Sequence, residues 1–211
     1  MSKSTTSFEY IHSAGPSCTH DYLLSTVVHS LGSLPGKARV LDLGCGNGSL
    51  TSAWSRPGWE THGADTSESG ITLAGKAYPH IQFRYFDAEE DQIVSHYGEQ
   101  AFDAIVCTEV IEHVFAPRDL ARNVFRLLRP GGVFVVSTPY HGYVKNLAIA
   151  TAGKMDTHFT ALWDGGHIKF WSKKTLSALL HEVGFRRIEF RGAGRVPYMW
   201  KSMVLKAVRP I

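Results

Sequence analysis

A chain of 211 residues, 44% hydrophobic and 19% charged, has the composition of a globular protein and the length of one sizeable domain. It shows no N-terminal apolar leader and no run of 18 apolar residues, which argues against export and a membrane span and predicts a cytoplasmic protein. Its cysteines, Cys18, Cys45 and Cys107, are odd in number and widely spaced, which excludes a zinc pattern and suggests a reducing compartment.

Short β-rich runs alternate with helical ones along the chain. "CTHDYLLSTVVHSL" (18–31) reads as an amphipathic helix, "ARVLDLG" (38–44) as a strand and "SLTSAWSR" (49–56) as a short helix. "WETHGAD" (59–65) is a weaker strand, "SESGITLAGKAY" (67–78) a helix, "IQFRYFD" (81–87) a strand and "DQIVSHYG" (91–98) a short helix. "FDAIVCT" (102–108) is a buried strand; apolar spacing at Leu120, Val124 and Leu127 predicts a helix over 117–132, stopped by Pro130 and two glycines. "VFVVSTP" (133–139) is a strand, "SKKTLSALLHEVGF" (172–185) a Ser-capped helix, and two strands, "RRIEFRG" and "WKSMVLKAV", close the chain. Repeated β-α units imply an α/β fold, a mostly parallel sheet with helices on both faces, whose ligands sit at the carboxyl ends of its strands.

Residues 140–171 break this rhythm, being far longer than the usual connection of about two to six residues. They hold Tyr140, His141, Tyr143, His158, Trp163 and His167, with a small helix expected around "VKNLAIATAGK". Such a connection suits a lid or acceptor pocket, to which Tyr10 and His12, or Tyr198 and Trp200, could add. A single domain is expected, with an N-terminal arm and helix (1–34), a cofactor-binding core (35–139), the inserted segment (140–171) and a closing helix and strands (172–211).

Net charge is only +3, but residues 85–112 hold eight acids and no Lys or Arg, whereas 185–211 hold seven Lys or Arg and one Glu. The acidic middle favours a cationic ligand. Within "VLDLGCGNGSL" (40–50), Gly44, Gly46 and Gly48 let the backbone turn sharply and approach a ligand. Ser49 stands where the third glycine of a dinucleotide fingerprint belongs, and Asp42 would oppose a pyrophosphate but suit an ammonium group. Asp65 ends the second strand, where a carboxylate can accept ribose hydroxyls, and Asp87 ends the third, within reach of an adenine amino group. Three acids on three successive strands describe a site for an adenosine that carries positive charge and no phosphate.

"VLDLGCGNG", "GADTS", "FDAEE" and "FDAIVCTEVIEHV" together resemble the class I S-adenosylmethionine-dependent methyltransferases over roughly residues 35–139. The resemblance implies a Rossmann-like seven-stranded sheet with its last strand antiparallel. It also implies roles in holding the cofactor: Asp42 with Gly44, Cys45, Gly46, Asn47 and Gly48 at the methionine part, Asp65 and Thr66 at the ribose, Asp87 and Ala88 around the adenine, and Thr108 and Glu109 beside the sulfonium.

"EVIEHV" (109–114) looks most like the ubiquinone-biosynthesis O-methyltransferases, where this segment faces the substrate. Spacing i, i+3, i+4 on a helix would put Glu109, Glu112 and His113 on one face. Three readings stay open: His113 as general base oriented by Glu112 or Glu109; Glu109, Glu112 and His113 as ligands of Mg²⁺ or Mn²⁺; or acids that merely cap a helix start while His113 packs. A later His in "GGHIKFWS", His167, is a candidate fourth ligand, because the small-RNA 3′-terminal 2′-O-methyltransferases are similar here. The expected function is O-methylation of a small, aromatic or lipid-like acceptor. Metal-dependent RNA 2′-O-methylation is the alternative enzyme, though nucleic acid is not the expected partner, and a non-catalytic cofactor-binding module is the alternative outside enzymes.

Overall fold

The computed structural model describes residues 19–211. Cys18 and the candidate pocket residues Tyr10 and His12 lie outside the described residues. In chain order the elements are α1 (His20–Leu31), β1 (Arg39–Leu43), α2 (Ser49–Trp54), β2 (Glu60–Asp65), α3 (Glu68–Ala77), β3 (Gln82–Tyr85), α4 (Gln92–Tyr97), β4 (Phe102–Thr108), α5 (Pro117–Leu127), β5 (Leu128–Pro139), α6 (Tyr143–Thr151), α7 (Met155–Phe159), α8 (Lys173–Val183), β6 (Arg186–Ala193) and β7 (Ser202–Val208).

The seven strands form one sheet in the order β3-β2-β1-β4-β5-β7-β6, with β7 antiparallel to both neighbours. Strand order reverses between β1 and β4, and the crevice at their carboxyl ends is where an open sheet of this kind takes its ligand. Because β7 runs backwards, its first residue, Ser202, pairs with Pro139 and lies at that same edge.

Both faces are covered, as near-continuous apolar strands require. On one face Leu41, Leu43, Ile105 and Val136 pack with Ile93 of α4, Leu120, Val124 and Leu127 of α5, and Leu176 and Leu180 of α8. On the other, Val40, Ala104, Val106 and Val135 pack with Leu23, Val27 and Leu31 of α1 and Leu50 and Trp54 of α2. Leu23, Val27 and Leu31 recur every four residues, the stripe a helix needs to bury one face, and each such side chain contributes about 1.5–3 kcal/mol on burial.

Two boundaries differ from expectation. The helix predicted over 117–132 stops at Leu127, and Leu128 is already extended (ψ 140°) and pairs with Phe102. The residue before Pro130 is driven towards extended geometry, and Gly131 and Gly132 hydrogen-bond with Arg209, so the end of the expected helix becomes the start of β5. In the long connection the expected small helix is present as α6, and a second short one, α7, follows it. No helix among the described residues is long and apolar enough to cross a membrane.

Candidate active site

The glycine-rich loop leaves β1 with Gly44, Gly46 and Gly48 all at positive φ (83°, 53° and 75°). A Cβ on Gly44 would stand 2.1 Å from Val110 Cγ2, and one on Gly48 2.7 Å from Phe83 Cζ, so side chains are excluded by space as well as by torsion. The backbone N–H groups of Gly44 and Cys45 both donate to Ala64 O (2.7 and 3.1 Å), which ties the loop to the end of β2.

Asp65 clasps the loop from β2. Its Oδ2 accepts from Gly46 N–H at 2.7 Å and its Oδ1 from Ser67 N–H at 2.8 Å. Burial pushes its carboxyl up, and those backbone donors pull it back. Thr66, next in the chain, is half-buried. Asp42 lies beneath the loop, accepting from the Thr51 hydroxyl at 2.6 Å on one oxygen while the other, Oδ1, has no hydrogen-bond partner among the described residues. Burial holds its carboxyl up at about 7, against the pull of the Thr51 bond. Asn47 Oδ1 accepts from Ser49 N–H (3.2 Å), the first residue of α2, and Cys45 is buried. Past β3, Asp87 accepts from Glu89 N–H at 2.8 Å beside the buried Ala88. Thr108, the last residue of β4, is half-buried at the same edge.

The stretch 109–113 is not a helix. Glu109 takes a left-handed φ of 54°, and Ile111–His113 form a turn closed by His113 N–H to Val110 O at 2.9 Å. The i, i+3, i+4 pattern therefore does not put three ligands on one helical face, and Glu109 is not among the side chains whose ligand atoms meet. Its carboxylate accepts from Ser137 Oγ at 2.7 Å and Ser202 Oγ at 3.1 Å, and burial pushes it up despite those bonds.

Glu112, His113 and His167 do converge. Each presents a ligand atom within 4.8 Å of the others. Glu112 is 0% exposed, and neither carboxylate oxygen has a hydrogen-bond partner among the described residues. Burial pushes its carboxyl well above the usual range and the nearby Glu109 adds to this, while its own backbone and the Thr138 hydroxyl, outside good hydrogen-bond geometry, pull it back a little. His167 Nε2 lies 4.0 Å from Glu112 Oε1, and its imidazole is held down at about 4 by burial and by His113. His113 Nδ1 is 2.9 Å from Gly165 O; a carbonyl only accepts, so Nδ1 carries a proton, and in the neutral ring Nε2 is the nitrogen with the lone pair. Its orienting partner is that carbonyl, and neither glutamate fills the role expected from sequence.

Non-local bonds create the cluster. Ile168 and Lys169 donate their backbone N–H groups to Glu112 O (2.9 and 3.0 Å), and Trp171 Nε1 donates to Ile111 O (3.2 Å). These lay "GHIKFW" along the 111–113 turn and bring the His113 and His167 rings to 4.8 Å. Sequence reasoning missed three residues here. Ser137 and Ser202 hold Glu109, and Lys145, buried on α6, donates to Tyr140 O at 2.9 Å and Lys201 O at 3.4 Å. A lysine set within the mostly apolar "YVKNLAIA" was the available signal.

A methyltransferase-domain family profile matches residues 19–189. The chain belongs to the class I S-adenosylmethionine-dependent methyltransferases. The methyltransferase is 31% identical to the ubiquinone biosynthesis O-methyltransferase of Ruegeria sp. TM1040, over 92% of this chain and 81% of that protein. It is likewise 31% identical to the Ruegeria pomeroyi protein of the same name, over 92% and 80%. Among solved structures, phosphoethanolamine N-methyltransferase 2 of Haemonchus contortus, in complex with S-adenosyl-L-methionine, superposes with a TM-score of 0.65 at 16% identity, covering 90% of this chain and 52% of that one. The [4+2]-cyclase SpnF superposes with 0.69 at 19%, covering 90% and 80%. At these identities the likeness is one of fold, and its appearance in a cyclase shows why the acceptor chemistry has to be argued from the site. The cofactor of this enzyme is S-adenosylmethionine.

Proposed function

We propose that this methyltransferase methylates a hydroxyl oxygen of a small, partly apolar acceptor, and that Glu112, His113 and His167 hold a divalent cation, Mg²⁺ or Mn²⁺, beside it. The observation that carries this reading is Glu112. A fully buried acid with only the Thr138 hydroxyl and its own backbone beside it is costly to ionise, and two imidazoles beside it complete a donor set suited to a divalent ion. A cation there would lower the pKa of an acceptor hydroxyl.

Each side chain has a task in this reading. Glu112 and the two imidazoles fix the acceptor's position, and Gly165 O holds His113 in the tautomer whose Nε2 is free. Glu109, clamped by Ser137 and Ser202, shapes the floor between the two halves of the site. Asp42, Gly44–Gly48, Asp65, Thr66, Asp87, Ala88 and Thr108 would line the cofactor in the roles expected of them. The apolar, aromatic 140–171 segment and the names of the ubiquinone biosynthesis relatives both favour a small aromatic or lipid-like acceptor. The His113 lone pair supports a second reading, in which Nε2 takes the acceptor proton with no cation present.

Calorimetry separates the two. S-adenosylhomocysteine is titrated into metal-stripped protein, followed by Mg²⁺ or Mn²⁺, in the wild type and in Glu112→Gln and His167→Ala. A metal signal lost in both variants supports the first reading. Cofactor binding with no metal signal leaves His113 as the base.

A further inference from the structure

The first turn of α1 lies across the crevice at the carboxyl edge of the sheet and is tied down on both sides. His20 Nδ1 is 3.1 Å from the Oγ of Ser49, the residue that follows Gly48 and starts α2. Two residues on, Tyr22 OH is 3.3 Å from Ser202 Oγ, and that serine also donates to Glu109. The Tyr22 ring lies beneath Lys201 Nζ at 4.8 Å, which fixes this side of the helix further. One turn of helix therefore bridges the glycine-rich loop and the clamp around Glu109. His20 is half-buried there, and beyond the Ser49 contact it makes no hydrogen bond among the described residues.

The methionine part of S-adenosylmethionine carries an ammonium and a carboxylate. Asp42 and Asp65 suit the first, but the loop offers little to the second. From residue 40 to residue 75 the sequence holds one Lys or Arg, Arg56, and residues 85–112 hold none. Arg56 lies beyond the far end of α2, over the Trp59 ring at 5.1 Å. Asn47 Oδ1 already accepts from Ser49 N–H. A donor for the carboxylate has to come from another element, and α1 brings an imidazole to the loop. Burial lowers the His20 imidazole, with Asp21 opposing, which favours the neutral ring. The Ser49 hydroxyl can donate to Nδ1, and the ring proton then sits on Nε2, aimed by the bond on the other nitrogen.

We infer that His20 is a cofactor-contacting residue, its Nε2 donating to the α-carboxylate of S-adenosylmethionine while Ser49 orients the ring. This rests on the reading that the glycine-rich loop takes the methionine part of the cofactor. The amino-acid moiety is then divided between two elements, the acids of β1 and β2 facing the ammonium and α1 facing the carboxylate. The consequence is selectivity: an adenosine thioether that lacks the carboxylate gains nothing from His20.

Calorimetry on the full chain tests this with S-adenosylhomocysteine and its decarboxylated counterpart, in which an aminopropyl group replaces the amino-acid chain. The wild type is expected to bind S-adenosylhomocysteine about tenfold tighter, the scale of one hydrogen bond to a charged group. In His20→Ala that preference should vanish through a tenfold loss for S-adenosylhomocysteine alone. Alanine suits a helix, and unchanged binding of the decarboxylated compound shows directly that the variant is folded. A loss shared equally by both ligands overturns the inference and makes His20 a packing residue of α1. A preference that survives His20→Ala, or one absent from the wild type, overturns it as well. S-adenosylhomocysteine binding indifferent to Gly44→Val faults the underlying reading of the loop instead.

Discussion

The two halves of the sheet's carboxyl edge are built on different terms. On the proposed cofactor side most polar groups of the loop are already paired: Asp65 with Gly46 and Ser67, Asn47 with Ser49, and the loop backbone with Ala64, with Asp42 Oδ1, Trp54 Nε1 and His62 Nδ1 as exceptions among the described residues. On the acceptor side Glu112, Thr138, His141, Asn146 and His158 keep buried polar atoms without hydrogen-bond partners among the described residues. Tyr143, Val144 and Leu162 there are exposed. One half is finished by the chain itself, and the other is laid out for something the chain does not supply. Pre-organisation on the first side cuts the ordering cost of binding, while orphaned polar atoms on the second make the unliganded state expensive.

The largest effect is expected from breaking the finished half. Gly44→Val places a β-branched residue at φ +83° and drives its Cβ into Val110, a combined strain of more than about 4 kcal/mol. S-adenosylhomocysteine binding should become undetectable by calorimetry. Retained micromolar binding would mean that the loop is far more pliable than its hydrogen bonds imply.

Asp42 gives the finished half a pH dependence. Its folded-state pKa is raised to about 7 by burial, so between pH about 4 and 7 the folded protein binds the proton more tightly than the unfolded chain does. Stability conferred by the protonated form is therefore complete below pH about 4, declines as pH rises through 7, and is flat above. The decline is at most about 4 kcal/mol. Urea unfolding of cofactor-free protein at pH 5 and pH 8 should show it, and Asp42→Asn should remove most of it. An unchanged slope in the variant would assign the pH dependence elsewhere.

Breaking the unfinished half costs turnover before stability. Glu112→Gln is expected to reduce methyl transfer about a hundredfold while raising the melting temperature at neutral pH, because a buried acid is replaced by a neutral amide. Measuring rate and melting temperature on the same sample checks both. A variant that loses stability together with rate would show Glu112 to be structural.

These two regimes also decide what could be read from the sequence. The glycine loop and its clasp by Asp65 were legible because their constraints are local: a strand, glycines that need positive φ, and an acid at the end of the next strand all lie within about thirty residues. The sheet followed from the alternation of elements. The 109–113 turn was misread because an i, i+3, i+4 spacing fits a helix as well as a turn; what settles it is the left-handed Glu109 and its bonds to Ser137 and Ser202, which lie 28 and 93 residues away. His167 was found through its motif, yet its docking depends on backbone donors of Ile168 and Lys169 reaching Glu112 O, a contact no local pattern encodes. The burial of Lys145 stayed hidden for the same reason, since one of the carbonyls it binds, Lys201 O, belongs to a distant stretch of chain.

The smallest expected effect asks how far the two halves are coupled. Ser172 starts α8 through a capping box, its Oγ accepting from Thr175 N–H while the Thr175 hydroxyl accepts from Ser172 N–H. Ser172→Ala should cost about 1 kcal/mol, seen as a drop of a few degrees in melting temperature. Trp171, the neighbouring residue, holds the 165–171 segment against Ile111, so loosening the cap should weaken the convergence of His167 with Glu112. The cofactor loop shares none of these bonds. Metal affinity should therefore fall severalfold while S-adenosylhomocysteine affinity stays within error. If both fall together, the 111–113 turn transmits strain to Gly44 through Val110, whose side chain packs directly over that glycine, and the two halves are one mechanical unit despite their different construction.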